Sequence, residues 1–316
     1  MPAAAGTEVR VEVEGRVLRL TNLQKVLYPT TGTTKGEVLD YYARIAPVLL
    51  PQLRDRAVTR VRWPHGVGGQ SFFEKNAPSG TPPWVRTAEV STTGSRRARS
   101  TGGEPEDGTI HFPVVDDLAT LTWLVNLAAL ELHVHQWRVG RSGRSRRPDR
   151  LVIDLDPGDP AGLHECCVVA LMVRDRLAER GMATTPVLSG SKGLHLYADL
   201  DALPCAEAPT DPDASTALAR EAAEDLQRSH GSLVTATMTK QRRGGKVFLD
   251  WSQNAGSKTT VAPYSLRGRD RPFAAAPLTW DEVEDGAGDP LALEQMTFDV
   301  VLDRVAAHGD LFRVSR

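Results

Sequence analysis

The 316-residue sequence predicts an α/β (α+β) fold in which mixed or antiparallel central sheets are flanked by helices. Two observations carry this. Helical patterns alternate with short apolar or β-branched runs, and several of those runs lie close enough to pair as hairpins, which a doubly wound parallel sheet would not allow. No internal repeat is present.

The elements follow in order. Lys35 to Arg56 sets Val38, Leu39, Tyr42, Ile45, Val48, Leu49 and Leu53 at near-helical spacing behind the N-cap candidates Thr33 and Thr34, which predicts an amphipathic helix with a possible kink at Pro47. Ser91 to Gly108 is rich in Gly, Ser, Arg and Glu and reads as a long exposed loop. Asp116 to His133 is apolar on most faces and predicts a buried helix. Leu151 to Leu155 predicts a strand ended by Pro157-Gly158, and Leu163 to Glu179 a helix closed by Gly181. Pro186 to Leu188 and Leu194 to Leu200 predict two strands joined by Ser189-Gly190-Ser191-Lys192-Gly193. A helix over Thr216 to Arg228 precedes further strands at Leu233 to Thr237, Val247 to Trp251 and Thr259 to Tyr264, and the chain is helical and acidic from Thr279.

With 41% hydrophobic and 25% charged residues the composition is that of a soluble globular protein, long enough for a sizeable core. No apolar run reaches membrane-spanning length, and Met1 to Gly15 lacks a signal-peptide pattern, so neither a span nor export is expected. Three cysteines, two of them adjacent, suit a reducing cytoplasm. The net charge of -2 hides opposed blocks. Six arginines lie between Arg138 and Arg150 with only Asp149 against them, and seven Lys or Arg lie between Lys240 and Arg269. Eight acids fall between Asp199 and Asp225, and eight more between Asp281 and Asp303. Each basic block is either a solvated face or a nucleic-acid contact.

Three constellations could carry chemistry. Asp154 and Asp156, two apart on one strand, project to the same side. Like charges that close repel unless a cation sits between them, and hard cations such as Mg2+ or Mn2+ favour oxygen ligands. Asp250, an acid in an otherwise apolar strand, could join them, and three such carboxylates can hold two metals for phosphoryl transfer. The plain alternatives are a solvated strand end for Asp154 and Asp156 and an Asx-turn into Ser252 for Asp250. The Ser189 to Gly193 loop could cradle a phosphate with converging N–H groups, Ser hydroxyls and Lys192, although the P-loop spacing is absent and a hairpin turn is the alternative. His195 follows as a phosphate ligand or a structural histidine. Near the N-terminus, Lys25 and Lys35 flank a turn, Lys35 at a helix N-terminus that favours phosphate. Phe72 and Phe73 cannot both face a core from one strand, so one of them beside Lys75 could stack on a base; the alternative is two core Phe in an irregular segment. Glu131, His133 and His135 alternate, but without C-x-x-C spacing they make a weak zinc candidate.

Taken together the motifs T-N-L-Q-K-V-L-Y-P, G-T-T-K, R-W-P-H-G, F-F-E-K, L-H-V-H-Q-W, D-L-D-P-G, S-G-S-K-G-L-H-L-Y, T-M-T-K, G-K-V-F-L-D-W-S-Q-N and G-S-K-T-T-V-A-P-Y-S-L-R-G-R closely resemble, in order and spacing, the polymerase domain of bacterial ligase D. That domain belongs to the archaeo-eukaryotic primase superfamily. The resemblance runs from about Leu20 to Asp310 and implies one primase-polymerase domain over residues 1–316. Within it, 1–115 would bind the DNA end, 116–278 would be the catalytic core and 279–316 an acidic helical part.

The implied activity is a template-dependent nucleotidyltransferase of non-homologous end joining that adds nucleotides, preferably ribonucleotides, to primer 3′ ends at gaps or breaks. By the same resemblance Asp154, Asp156 and Asp250 are the catalytic metal ligands for two Mn2+ or Mg2+ ions. His133, Ser189, Lys192, His195, Gln253 and Arg267 hold the incoming rNTP or dNTP; Lys25 and Lys35 grip a downstream 5′-phosphate; Phe72, Phe73, Lys75 and Arg243 meet DNA. Ku and a fused or separate DNA ligase are implied partners, and the implied location is the bacterial cytoplasm at the nucleoid. A primase that starts chains without a primer, a non-catalytic end-binding module and a two-metal nuclease remain as alternatives.

Overall fold

The computed structural model describes residues 8–91, 109–140 and 143–314, so the expected loop beyond Ser91 and the arginine at 141 lie outside the described residues. Two sheets organise the chain. The first has five strands in the order Thr184–Leu188, Leu194–Asp199, Arg150–Pro157, Val247–Asp250, Val234–Thr235, antiparallel except for the last pair. The second has four antiparallel strands in the order Thr260–Val261, Ala129–Val134, Val58–Arg62, Phe72–Glu74. The mixed, mostly antiparallel arrangement expected from hairpin spacing is therefore observed.

Helix α1 (Lys35–Leu53) begins where the sequence placed it, because Thr34 accepts from the Glu37 N–H while the Glu37 carboxylate takes the Thr34 N–H at 2.7 Å. It runs through both Pro47 and Pro51. The expected helix over Asp116 to His133 is corrected: α2 (Leu118–Asn126) is capped by Asp117, the chain turns at Ala128 with φ 62°, and Ala129–Val134 is a strand. Burial on both sides masks the switch in period, but Leu130-Glu131-Leu132-His133-Val134 alternates with the strand period of two. The run over Thr259 to Tyr264 pairs only at Thr260–Val261, since Pro263 has no N–H to give and Tyr264 takes φ 70°. A hairpin of Glu8–Val13 and Arg16–Thr21, turning at Glu14-Gly15 with positive φ, was not foreseen.

Helices α3 (Leu163–Ala178) and α4 (Pro212–Ser229) cover one face of the five-stranded sheet, packing against Arg150–Pro157 and its neighbours. The C-terminal part forms α5 (Trp280–Gly288) and α6 (Phe298–His308). One continuous apolar cluster joins both sheets, and a smaller one holds Ala57, Ala88, Phe112, Val114, Trp137 and Val139. No described helix is long and apolar enough to cross a membrane.

Candidate active site and nucleic-acid interface

The helix-covered face of the central strand buries Ile153 and Leu155 completely, so the next residues along it, Asp154 and Asp156, turn to the other face. Register does the rest. Asp154 lies between His195 on one neighbouring strand and Asp250 on the other, and Asp156 lies opposite Phe248. The structure thus brings the three carboxylates and His195 to one face of adjacent strands, with His195 Nε2 at 3.4 Å from Asp154 Oδ1. The Asx-turn considered for Asp250 is also present: Oδ1 accepts from Ser252 N at 3.0 Å and Ser252 Oγ at 2.6 Å, and Oδ2 accepts from Gln253 Nε2 at 3.0 Å. Buried Asn254 pins this turn to the central strand by bonding the N–H and C=O of Val152 at 2.8 and 2.7 Å. Nothing in the sequence singled out Asn254.

Among the described residues no three His, Cys, Asp or Glu side chains converge in a ready-made metal cage. The donor chemistry nevertheless fits a hard cation. Although part of the Asp156 side chain reaches solvent, crowding by the surrounding chain and then the Asp154 carboxylate raise its carboxyl from 3.8 to about 6, with Asp250 adding to the rise and His195 and Arg243 opposing it. Three oxygen-bearing groups that repel one another are a set that a divalent cation would relieve. Arg243, expected at DNA, places its guanidinium 3.5 Å above the Phe248 ring and donates to the Met238 carbonyl at 2.8 Å.

Gly193 presses the 189–193 loop onto the central strand: a Cβ there would overlap the Leu155 carbonyl oxygen. Gly190 has φ 65° and lies against the Arg267 side chain. Buried Ser189 accepts the N–H groups of Ser191 and Gly193 at 3.2 Å each, so two of the amides proposed to cradle a phosphate already have an acceptor. Ser189 shapes the loop, and exposed Lys192 makes no ion pair among the described residues.

Arg267 donates to the Ser189 carbonyl at 3.1 Å and pairs with Glu131 at 3.3 Å. Glu131 also accepts the Gly268 N–H at 2.9 Å and lies 2.7 Å from His133 Nε2. Burial alone would raise this carboxyl, but His133, Arg267 and the Gly268 N–H together take it down to about 2. Glu131 therefore joins two residues expected to hold nucleotide, His133 and Arg267, one from each side. The alternation that drew attention to it on zinc grounds was real, but its cause is a buried ion-pair network. The His133 ring meets the edge of Phe73 at 6.2 Å, and Phe73 is 45% exposed while Phe72 is half-buried. Lys75 Nζ donates to the Ser257 carbonyl at 3.3 Å.

Lys25 and Lys35 are adjacent, the Lys35 N–H donating to the Lys25 carbonyl at 2.8 Å. Lys35 is only 4% exposed, and its ammonium donates to the Thr21 carbonyl at 2.6 Å. Burial, then the nearby Lys25 charge, lower its pKa to about 8. Tyr28 connects this corner to the 189–193 loop side by donating its hydroxyl to the Arg267 carbonyl at 2.9 Å.

Comparison with known proteins identifies the family and the fold. The chain is similar to a solved structure of the polymerase domain from Mycobacterium tuberculosis ligase D in complex with DNA, with 47% identity and a TM-score of 0.83, covering 94% of this chain and 97% of that one. It is 47% identical over 297 residues to the multifunctional non-homologous end joining DNA repair protein LigD of M. tuberculosis, covering 92% of this chain and 36% of that protein. It is 33% identical over 297 residues to the bifunctional non-homologous end joining protein LigD of Bacillus subtilis, covering 92% of this chain and 43% of that protein. The chain therefore spans less than half the length of these relatives. Residues 34–312 match the LigD primase-polymerase domain, and the chain belongs to that family.

Proposed function

We propose that this chain is a template-directed nucleotidyltransferase that adds nucleotides, preferably ribonucleotides, to primer 3′ ends at gaps and double-strand breaks in non-homologous end joining. The single observation that carries this is the strand register, which sets Asp154, Asp156, Asp250 and His195 on one face beside the loop that Arg267 anchors. The 3′-hydroxyl attacks the α-phosphorus of the bound nucleotide and pyrophosphate leaves. Two Mn2+ or Mg2+ ions held by Asp154, Asp156 and Asp250 would supply a lowered 3′-hydroxyl pKa and neutralisation of the triphosphate. The protein orients the reactants. Arg267 and Lys192 draw the triphosphate to the 189–193 loop, Gln253 and Ser252 fix the Asp250 carboxylate, and exposed Phe73 offers a stacking face for a template base. Lys25 and Lys35 receive the downstream 5′-phosphate, with Ku and a DNA ligase as partners at the break. Offered one at a time on a gapped duplex, only the nucleotide complementary to the template base should be added. Equal addition of all four would contradict templating.

Two further outcomes follow. Glu131→Gln keeps the shape but removes the charge that faces Arg267, so the KM for nucleotide should rise about tenfold or more while DNA affinity stays within about twofold, measured by steady-state extension and anisotropy. The Lys35 outcome concerns pH. An ammonium whose pKa is lowered to about 8 is charged below that pH and neutral above it. The preference for 5′-phosphate over 5′-hydroxyl ends should therefore shrink as pH rises through 8, and Lys35→Arg, which stays charged, should flatten that dependence.

A further inference from the structure

The arginine run between Arg138 and Arg150 is only partly absorbed by the site above, and the structure divides it. Arg150 is fully buried, with a guanidinium NH2 donating to Gln52 at 2.9 Å. Arg138, Arg146 and Arg147 instead line, with Asp149 and Asp201, an open cavity of about 260 Å³ beneath the hairpin of Trp137–Val139 and Ser145–Pro148. The carboxylates there are already engaged. Asp149 pairs with buried Arg56 at 2.6 Å and with Arg138 at 2.8 Å, and Asp201 pairs with Arg147 at 2.6 Å. With Asp199 nearby, three carboxylates stand against Arg56, Arg138, Arg146, Arg147 and Arg150, and the exposed guanidinium of Arg146 makes no ion pair among the described residues.

This cavity is separate from the carboxylate face. It borders the Arg150 end of the central strand, and Asp154 lies four residues further along, about 13 Å at a strand's rise. It is nevertheless continuous with the DNA-facing side through one turn. The Trp137 indole N–H, at the root of the hairpin, donates to the Gly256 carbonyl at 3.2 Å, and Lys75 donates to the next carbonyl, Ser257. Lys258 is exposed on the same turn, and burial followed by the Lys258 charge lowers the pKa of Lys75. Lys75, Lys258 and the arginine hairpin thus form a run of cations beside exposed Phe73, which a polyanion would neutralise. A planar guanidinium fork is suited to a phosphodiester oxygen pair, and the cavity has room for a phosphate with its water.

We propose that the Arg138–Arg146–Arg147 cavity binds a backbone phosphate of duplex DNA that continues past the end held at Phe73 and Lys75. The proposal rests on the DNA-end reading of the site. It predicts contacts that only a longer duplex can make. Binding is measured by anisotropy across a salt series on a short gapped end and on the same end lengthened by about two helical turns. Arg146→Glu should weaken binding to the long duplex about tenfold at low salt and make its salt dependence shallower by about one phosphate's worth. It should leave the short end within about twofold, with an unchanged thermal midpoint, and Arg146→Lys should recover most of the loss. An Arg146→Glu protein that binds the long duplex like wild type, or that loses short and long equally, would overturn the proposal. So would a matching loss of affinity for nucleoside triphosphate alone, which would make the cavity a nucleotide site. A wild-type protein that binds neither duplex would remove the DNA-end reading together with this one.

Discussion

Asp156→Ala is expected to abolish primer extension, by about a thousandfold or more, while binding to a 5′-phosphorylated gap stays within about twofold of wild type. On the proposed reading the two readouts separate, because Asp156 would touch the reacting end of the site whereas Lys25, Lys35 and Phe73 would hold the DNA. A third readout runs opposite to that of a structural residue. A carboxyl raised from 3.8 to about 6 in the folded protein binds its proton more tightly there than in the unfolded chain. Its contribution to stability is therefore lost as pH rises through that window. At pH 7 the ionised Asp156 works against its neighbours, so the alanine protein should melt at the same temperature as wild type or higher. A lower midpoint together with lost DNA binding would place Asp156 in the scaffold instead.

Gly193→Ala is the second large effect. The added methyl would meet the backbone oxygen of Leu155 and lie 3.0 Å from the Pro157 ring, and neither is the yielding end of a side chain. Either the loop lifts from the strand bearing Asp154 and Asp156 or that strand moves. Overpacking of this kind costs about 1–3 kcal/mol, visible as a lowered thermal midpoint. Nucleotide affinity should fall by more than DNA affinity, because the displaced loop carries Lys192 and, through the Ser189 carbonyl, fixes Arg267. An alanine protein with wild-type midpoint and nucleotide KM would contradict the close seating of this loop.

The features behind these two effects differ in how local their sequence signals are. The Asp154 and Asp156 pair needs only the strand period, and the start of α1 needs only Thr34 and Glu37 three residues apart. Other features depend on partners far along the chain. The pairing of Asp154 with Asp250 joins residues that no local pattern relates, so Asp250 could be picked out only as an acid among apolar neighbours or through resemblance. Glu131 finds Gly268 across 137 positions, and this is why its role as a bridge between His133 and Arg267 was invisible. The helix expected through His133 failed because an apolar stretch buried on all sides hides where one period gives way to another. Lys35 was rightly placed at a helix start, but the sequence could not show that its ammonium would turn inward to Thr21.

The proposed role of the face carrying Asp154, Asp156 and Asp250 is to lengthen DNA. The measurement closest to it is the length of a labelled primer strand in a gapped, 5′-phosphorylated duplex after incubation with the protein, Mn2+ or Mg2+, and rNTPs or dNTPs. Longer primers are expected, with rNTPs used at least as well as dNTPs and the gap filled toward the downstream phosphate. Primers that shorten would mark a nuclease, and primers unchanged with either metal would mark a binding module; either result would rule out a polymerase.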